Sequence, residues 1–334
     1  MAKKVVILGG TGFLGYYTAL EALKRGYEVG SIAIDDVPLE GWFPSEIKVQ
    51  NADLFTESED KLAAMMAGYD YMIYSVGPDD RVTPPAPARK FFHDRLVDAC
   101  AKCFRAAEKA GVKKAVVYNS YFTYFNTLYP EAHLESNHPY VACRVEQAKL
   151  LNSQKKTMEV VVLMLPYIFG SMPNRIPLWK ATFLDRFAYK KKVIFFPKGS
   201  TTMIHVKHVG EAGIGALEYG KDGEYYPIGD ENHDYNWMLD QMMIAGLGHK
   251  RKIINPSAGI CAWGSSFIVK KEAKQGKEPG LNFPRVMKDI MSKDMVIPAE
   301  VMDQVNSELH ITRGGLEEGI KETMDACYPN HTFR

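Results

Sequence analysis

Apolar residues fall in short blocks along the first half of the chain, and helical patterns separate the blocks. Val5-Val6-Ile7-Leu8 predicts a buried strand, and residues 29–34 predict a second. Residues 47–54 read as a third strand and its exit, 71–77 as the fourth, 115–118 as the fifth and 160–164 as the sixth. Helical spacing joins Tyr16, Leu20 and Leu23, then Leu62, Met65 and Met66. It returns at about 91–110, with Leu96, Cys100, Cys103 and Ala107 in register, and at about 140–155. Residues 78–87, rich in proline and aspartate, predict a loop. Strands and helices alternating at these lengths predict an α/β, Rossmann-type doubly wound parallel sheet covered on both faces.

Beyond Pro166 the pattern changes, and short strands, aromatic residues and prolines mix with helices. Strands are expected at 203–206 and 225–229, and helices at 209–219, 236–246, 257–275 and 283–292. The expected division is a nucleotide-binding core over 1–165 and a smaller substrate-binding cap over 166–334 that partly returns to the sheet.

The first strand runs into Gly9-Gly10-Thr11-Gly12-Phe13-Leu14-Gly15, with glycines spaced as Gly9-x-x-Gly12-x-x-Gly15, and a helical pattern follows. A strand that turns into a helix on glycines brings backbone amides and a helix N-terminus to a pyrophosphate. Gly9 makes the tight turn, Gly12 permits close approach, and Gly15 lets the helix pack on the strand. Asp35 ends the second strand, 20 residues beyond Gly15. An acid at that distance accepts hydrogen bonds from the adenosine ribose of NAD.

Ligands of such sheets sit outside the carboxyl ends of the strands. Four segments should meet there: Gly9 to Gly15, Ser75-Val76-Gly77, Asn119-Ser120-Tyr121-Phe122-Thr123, and Pro166-Tyr167-Ile168-Phe169-Gly170. A fifth is Tyr140-Val141-Ala142-Cys143-Arg144, whose first and last residues share a helix face. A phenol beside a cation suits proton transfer, because the charge lowers the phenol pKa towards neutrality. A hydroxyl such as Ser120 can hold a carbonyl or alcohol.

With these motifs the chain resembles the extended short-chain dehydrogenases/reductases of the NAD-dependent epimerase/dehydratase group, over roughly residues 3–250. The resemblance implies that Asp53 and Leu54 hold adenine and that Ser75, Val76 and Gly77 line the ribose. It implies chemistry by Ser or Thr, Tyr and Lys in a Tyr-x-x-x-Lys arrangement. Here Arg144 stands in the lysine position. Arginine is planar and always charged, so it can bond a ribose and lower the tyrosine pKa but cannot relay a proton. The hydroxyl that assists Tyr140 is open between Ser120, Tyr121 and Thr123.

The 334 residues are 46% hydrophobic and 24% charged, enough for a sizeable core. A net charge of +1 gives no case for nucleic acid or an acidic surface as partner. No apolar run is long enough to span a bilayer, no leader pattern is evident, and the cytoplasm is the expected compartment. Cys100-x-x-Cys103 lies in a helical stretch without a second pair, so no metal is expected. His205 and His208 are read as structural. Trp179, Phe183 and Phe187, like Trp263 and Phe267, recur at helical spacing and fit either core or an apolar pocket lining.

The function expected is an NAD-dependent oxidation or reduction of a secondary alcohol or ketone, or an epimerisation or dehydration through a transient ketone. The partner is a small substrate of low polarity, and a homodimer is compatible with the sequence. A non-catalytic NAD(P)-binding regulator or scaffold is the alternative that the altered lysine position admits.

Overall fold

The computed structural model describes residues 2–34 and 37–333. Its first half is strand and helix in alternation: β1 Lys4–Leu8, α1 Phe13–Lys24, β2 Glu28–Ala33, β3 Lys48–Asn51, α2 Glu59–Met66 and β4 Tyr71–Tyr74. A helix then begins with α3 Ala88–Phe92, widens into a π turn at His93–Asp98, and continues as α4 Ala99–Lys109. Next come β5 Lys114–Ser120, α5 Tyr121–Leu128, α6 Leu134–Asn137, α7 Pro139–Gln154 and β6 Glu159–Leu165.

The second half holds β7 Tyr167–Phe169, α8 Asp185–Phe187, β8 Val193–Phe195, β9 Ser200–His205, α9 Val206–Glu218 and β10 Tyr225–Pro227. After these lie β11 Glu231–Asp234, α10 Tyr235–Leu247, β12 Lys252–Ile254, α11 Ala258–Ala273 and α12 Phe283–Asp289. The described chain closes with β13 Asp294–Met295, α13 Ala299–Glu308 and α14 Leu316–Cys327.

Among the described residues the central sheet has the order β10-β6-β5-β4-β1-β2-β3, with every neighbouring pair parallel. The order reverses between β1 and β4, which opens a crevice at their carboxyl ends. One face carries Val5, Ile7, Val116 and Val161 against Ala19, Ala22, Val209 and Ala212 of α1 and α9. The other carries Val6, Leu8, Met72, Val117 and Val160 against Leu62, Cys100, Cys103, Phe104 and Ala148. Both sides of each strand are apolar because both are covered. Helices α1 and α9 touch backbone to backbone: a Cβ built on Gly210 would lie 2.6 Å from the Tyr17 carbonyl oxygen.

A second sheet stands beyond the crevice, with β9 between antiparallel β11 and parallel β13 and with β7 also pairing β9. β10 lies in the main sheet beside β6. No described helix is long and apolar enough to cross a membrane.

Several segments differ from the sequence reading. Residues 121–128 are a helix, capped by the Ser120 hydroxyl, which accepts from the Phe122 amide at 3.3 Å. α13 and α14 were not anticipated. Trp179 and Phe183 lie in the core, whereas Trp263 and Phe267 are exposed, and Phe267 lines an open surface cleft with Lys270, Lys271, Ala273 and Lys274. Their spacing marks one face of a helix but not the side on which the protein lies. Cys100 and Cys103 are buried free thiols. The His205 ring caps α9 by accepting from the Lys207 amide, and His208 bonds Asp230 at 2.8 Å.

Candidate active site and nucleotide cleft

At the carboxyl ends of β1, β2 and β4 lies a cleft of about 260 Å³. Of the residues singled out in the sequence, Gly9, Thr11, Gly12, Phe13, Asp53, Leu54, Ser75, Val76 and Gly77 line it. Gly15 and Leu14 stand behind it. A Cβ on Gly15 would fall 2.1 Å from the Gly9 carbonyl oxygen, so only glycine permits this crossing of turn and helix. Leu14 packs into the core between α1 and α9. Asp35 lies outside the described residues. Asp53 accepts from the Phe55 amide at 2.9 Å, which fixes the Asp53 carboxylate at the cleft's outer end.

Gly12 caps α1 with no side-chain hydrogen bond, and the first turn contains no acidic residue. Its leading N–H groups and the positive end of its dipole are therefore available to an anion. The uncapped turn and the glycine walls fit a dinucleotide. Arg175, not anticipated from the sequence, lines the same cleft and donates to the Thr11 carbonyl at 3.4 Å. It adds a cation to the phosphate end. Pro166, Tyr167 and Ile168 are not among the cleft-lining residues. The Ile168 carbonyl accepts from the Trp179 indole at 2.8 Å, and Tyr167 faces the aromatic group described below.

Tyr140 and Arg144 occupy the first two turns of α7, and both are buried. Arg144 donates through Nε to the Tyr140 hydroxyl at 2.9 Å, and through Nη1 to the Tyr118 carbonyl and Gln147 Oε1, each at 3.1 Å. Its Nη2 points at the nucleotide cleft, 3.8 Å from where a Gly77 Cβ would stand. One guanidinium thus spans the phenol and the cleft edge. The Tyr140 ring packs edge-on against Phe92 and Phe122. Burial raises the phenol pKa, Arg144 opposes it, and Asp80 and Asp79 add to the rise. The net direction is upward, contrary to the expected shift towards neutrality, because loss of water outweighs the cation. The Tyr140 phenol therefore keeps its proton at neutral pH.

Three hydroxyls were candidates to assist it. Thr123 donates to Asn119 Oδ1 at 2.7 Å, and the Tyr121 hydroxyl shares a 3.1 Å bond with Thr201. Ser120 only accepts, so its proton is left to donate. Asn119 holds this corner, since it also donates to Gln147 and to the Arg144 carbonyl.

The loop after β4 supplies a group the sequence reading left in a featureless turn. Arg81 donates to Asp79 through Nε and Nη2, both at 2.7 Å, and lies over the Trp179 ring at 4.6 Å. Asp79 and Arg81 each keep about a quarter of their side chains accessible (26% and 27%). Burial pushes the Asp79 carboxyl up, but Arg81 more than reverses it. Asp80 goes strongly the other way, through burial and the neighbouring Asp79 charge, and therefore holds its proton far above the usual carboxylate range. Once ionised, Asp80 raises the pKa values of Tyr140, Tyr121, Tyr167 and Tyr235. Tyr121, Tyr167 and Tyr235 form a ring cluster with centroids 6.2–6.3 Å apart. The run Asp-Asp-Arg between prolines was the available signal, yet no spacing rule ties it to Tyr140.

Residues 9–163 match the profile of a family described as NAD(P)H-binding. The whole chain has the fold of solved nucleoside-diphosphate-sugar epimerases, and its residues 9–163 are similar to an NAD(P)H-binding domain. Among solved structures of this fold, gox2253 superposes with a TM-score of 0.74 at 17% identity, covering 99% of this chain and 100% of its own. A nucleoside-diphosphate-sugar epimerase from Pseudomonas aeruginosa gives 0.70 at 15%, covering 100% of both chains. The UDP-glucose 4-epimerase from Bifidobacterium longum, in complex with NAD+ and UDP, gives 0.66 at 14%, covering 99% of both. The comparison with curated proteins finds no match. In this fold Tyr140 and Arg144 on α7 and Ser120 at the end of β5 lie on the side of the sheet where the glycine-lined cleft opens, with Arg144 Nη2 at its Gly77 edge.

Proposed function

We propose that the protein is an NAD-dependent oxidoreductase that interconverts a secondary alcohol and its ketone, either as the net reaction or as the first half of an epimerisation or dehydration. The observation that carries this reading is Arg144, which bonds the Tyr140 hydroxyl at 2.9 Å and presents Nη2 to the Gly77 edge of the cleft. One side chain thereby links the acid to the cofactor site. The bound nicotinamide supplies hydride transfer. Gly9, Gly12, Thr11 and Arg175 hold the phosphates, Asp53 and Leu54 the adenine end, and Ser75, Gly77 and Arg144 the ribose nearest the reaction. NAD is favoured by the acidic Asp35 after β2, and the B. longum epimerase of the same fold carries NAD+.

Ser120 donates to the substrate oxygen, and Tyr140 protonates it in the reducing direction. Arg144 stabilises the phenolate this leaves. Asp80, with its retained proton, is a second acid or base on the cap side. The substrate faces an aromatic wall of Trp179, Tyr167 and Tyr121. Arg81, already engaged twice by Asp79, is not free to neutralise a second diphosphate. These features favour a substrate of low polarity that carries one hydrogen-bonding group towards Asp80.

The test pairs wild type with Tyr140→Phe, following NADH absorbance against a panel of alcohols and ketones and cofactor binding by calorimetry. Turnover in wild type with a loss of roughly 10²–10⁴ in the variant, at unchanged cofactor affinity, supports the assignment. Tight NAD binding by both proteins without turnover on any substrate indicates a binding-only regulator.

A further inference from the structure

α11 turns its apolar side outward. Ile260, Trp263 and Phe267 are exposed by 59%, 67% and 52%, while the residues it buries are Ala262 and Ser265. At 100° per residue, positions 260, 263 and 267 form one stripe, and Lys270, Lys271 and Lys274 continue it to the helix end. Trp263 and Phe267 meet edge to face at 4.9 Å, so the two rings form one raised surface. Among the described residues no acid pairs with these three lysines. Glu272, the helix's one acid, is turned to the opposite side and accepts from Thr83.

The segment leading into α11 also exposes apolar and basic side chains. Parallel pairing of β8 with β12 sets Phe195 opposite Ile254, and both are exposed. The same pairing brings Lys190, Lys191 and Lys192 beside Lys250, Arg251 and Lys252 around one open cleft. Two basic runs far apart in sequence are thus gathered in a chain whose net charge is only +1, so the remaining surface is acidic on balance. The whole-chain charge conceals this division.

We propose that α11, together with the β8–β12 edge, docks the protein on the surface of an anionic lipid bilayer. An interfacial helix needs aromatic and aliphatic side chains to enter the headgroup boundary and cations beside them to meet lipid phosphates. Both are present on one stripe. A second copy of the chain is a poor occupant. In an antiparallel pairing the lysine end of one stripe would cover Ile260 and Trp263 of the other, and in a parallel pairing lysine would face lysine. The docked helix would also orient the catalytic mouth. The chain leaving α11 bonds the loop before α3, with the Ala86 amide donating to the Gly276 carbonyl at 2.9 Å, and the Tyr140 backbone amide then donates to the Gly280 carbonyl at 2.9 Å.

The full chain is mixed with vesicles of phosphatidylcholine alone and of phosphatidylcholine with phosphatidylglycerol, and sedimentation and tryptophan emission are recorded. Binding is expected to the anionic vesicles with a blue shift, and to weaken with salt. Trp263→Ser with Phe267→Ser, and separately Lys270→Gln with Lys271→Gln and Lys274→Gln, should each lower that binding by roughly tenfold or more. Melting temperature and NAD binding should not change. No binding to anionic vesicles, or equal binding by wild type and variants, overturns the proposal. So does a concentration-dependent dimer in sedimentation velocity that Trp263→Ser with Phe267→Ser abolishes.

Discussion

The Nε of Arg144 donates to the phenol oxygen of Tyr140 across 2.9 Å, one helical turn apart on α7. A guanidinium in this position lowers the phenol pKa against the pull of burial without being able to exchange a proton itself. Arg144→Met removes the charge and should raise the Tyr140 pKa further, moving the alkaline limb of the pH–rate profile upward. It should also weaken NAD binding, because Nη2 no longer faces Gly77. Arg144→Lys should keep measurable activity. Calorimetric titration and rates across pH check both, and three indistinguishable proteins would remove Arg144 from the site.

NAD should bind more tightly than NADP, since Asp35 repels a 2′-phosphate, and each ~1.4 kcal/mol of that mismatch is about tenfold in affinity. Arg175 reaches the Thr11 carbonyl in the glycine turn. Arg175→Ala is therefore expected to weaken NAD and NADP alike, by roughly tenfold. Loss confined to NADP would instead assign Arg175 to the 2′-phosphate.

Asp80 holds its proton above the usual carboxylate range because it is half-buried beside the ionised Asp79. Asp80→Asn should remove one ionisation from the pH–rate profile and lower the rate by roughly 10²-fold or more if it moves a proton. A uniform rate loss with an unchanged profile would mean that Asp80 only shapes the cavity wall.

Acid should destabilise the protein through His138. Burial first, and the Arg285 charge second, lower its pKa from 6.5 to about 4, and its Nδ1 accepts from the Asn282 amide at 3.1 Å. The unfolded chain binds the proton first, so the stability is present above the ordinary histidine value and is lost as pH falls from there to about 4. The full loss is on the order of 3 kcal/mol. His205, lowered to about 4 by burial, acts in the same direction. Melting temperatures from pH 7 down to pH 4 (about the histidine range) should drop in wild type and drop less in His138→Asn.

The nucleotide cleft was legible because its determinants are local. An apolar run, three glycines and a helix lie within a few residues; Gly9 turns the chain, Gly15 permits the helix crossing and Gly12 lines the cleft. Tyr140 and Arg144 were visible as a pair because a helix brings i and i+4 together. Asp80 and Arg175 sit on loops and meet the site only through tertiary packing, which no periodicity encodes. The three-residue strands β7, β8 and β12 are too short to show alternation. Trp263 and Phe267 mark a helix face clearly, but whether that face looks inward depends on what the rest of the chain leaves beside it.

The close backbone contact between α9 and α1 makes the phosphate cradle sensitive to a remote position. Gly210 belongs to the second half of the chain, yet a methyl group there would press on the Tyr17 carbonyl at 2.6 Å, one turn into the helix whose amino end lines the cleft. Gly210 is therefore a spacer, and the width it keeps between two helices sets how far the glycine turn can settle against the sheet. A bulkier residue there would loosen dinucleotide affinity from a distance, without altering any group that touches the ligand.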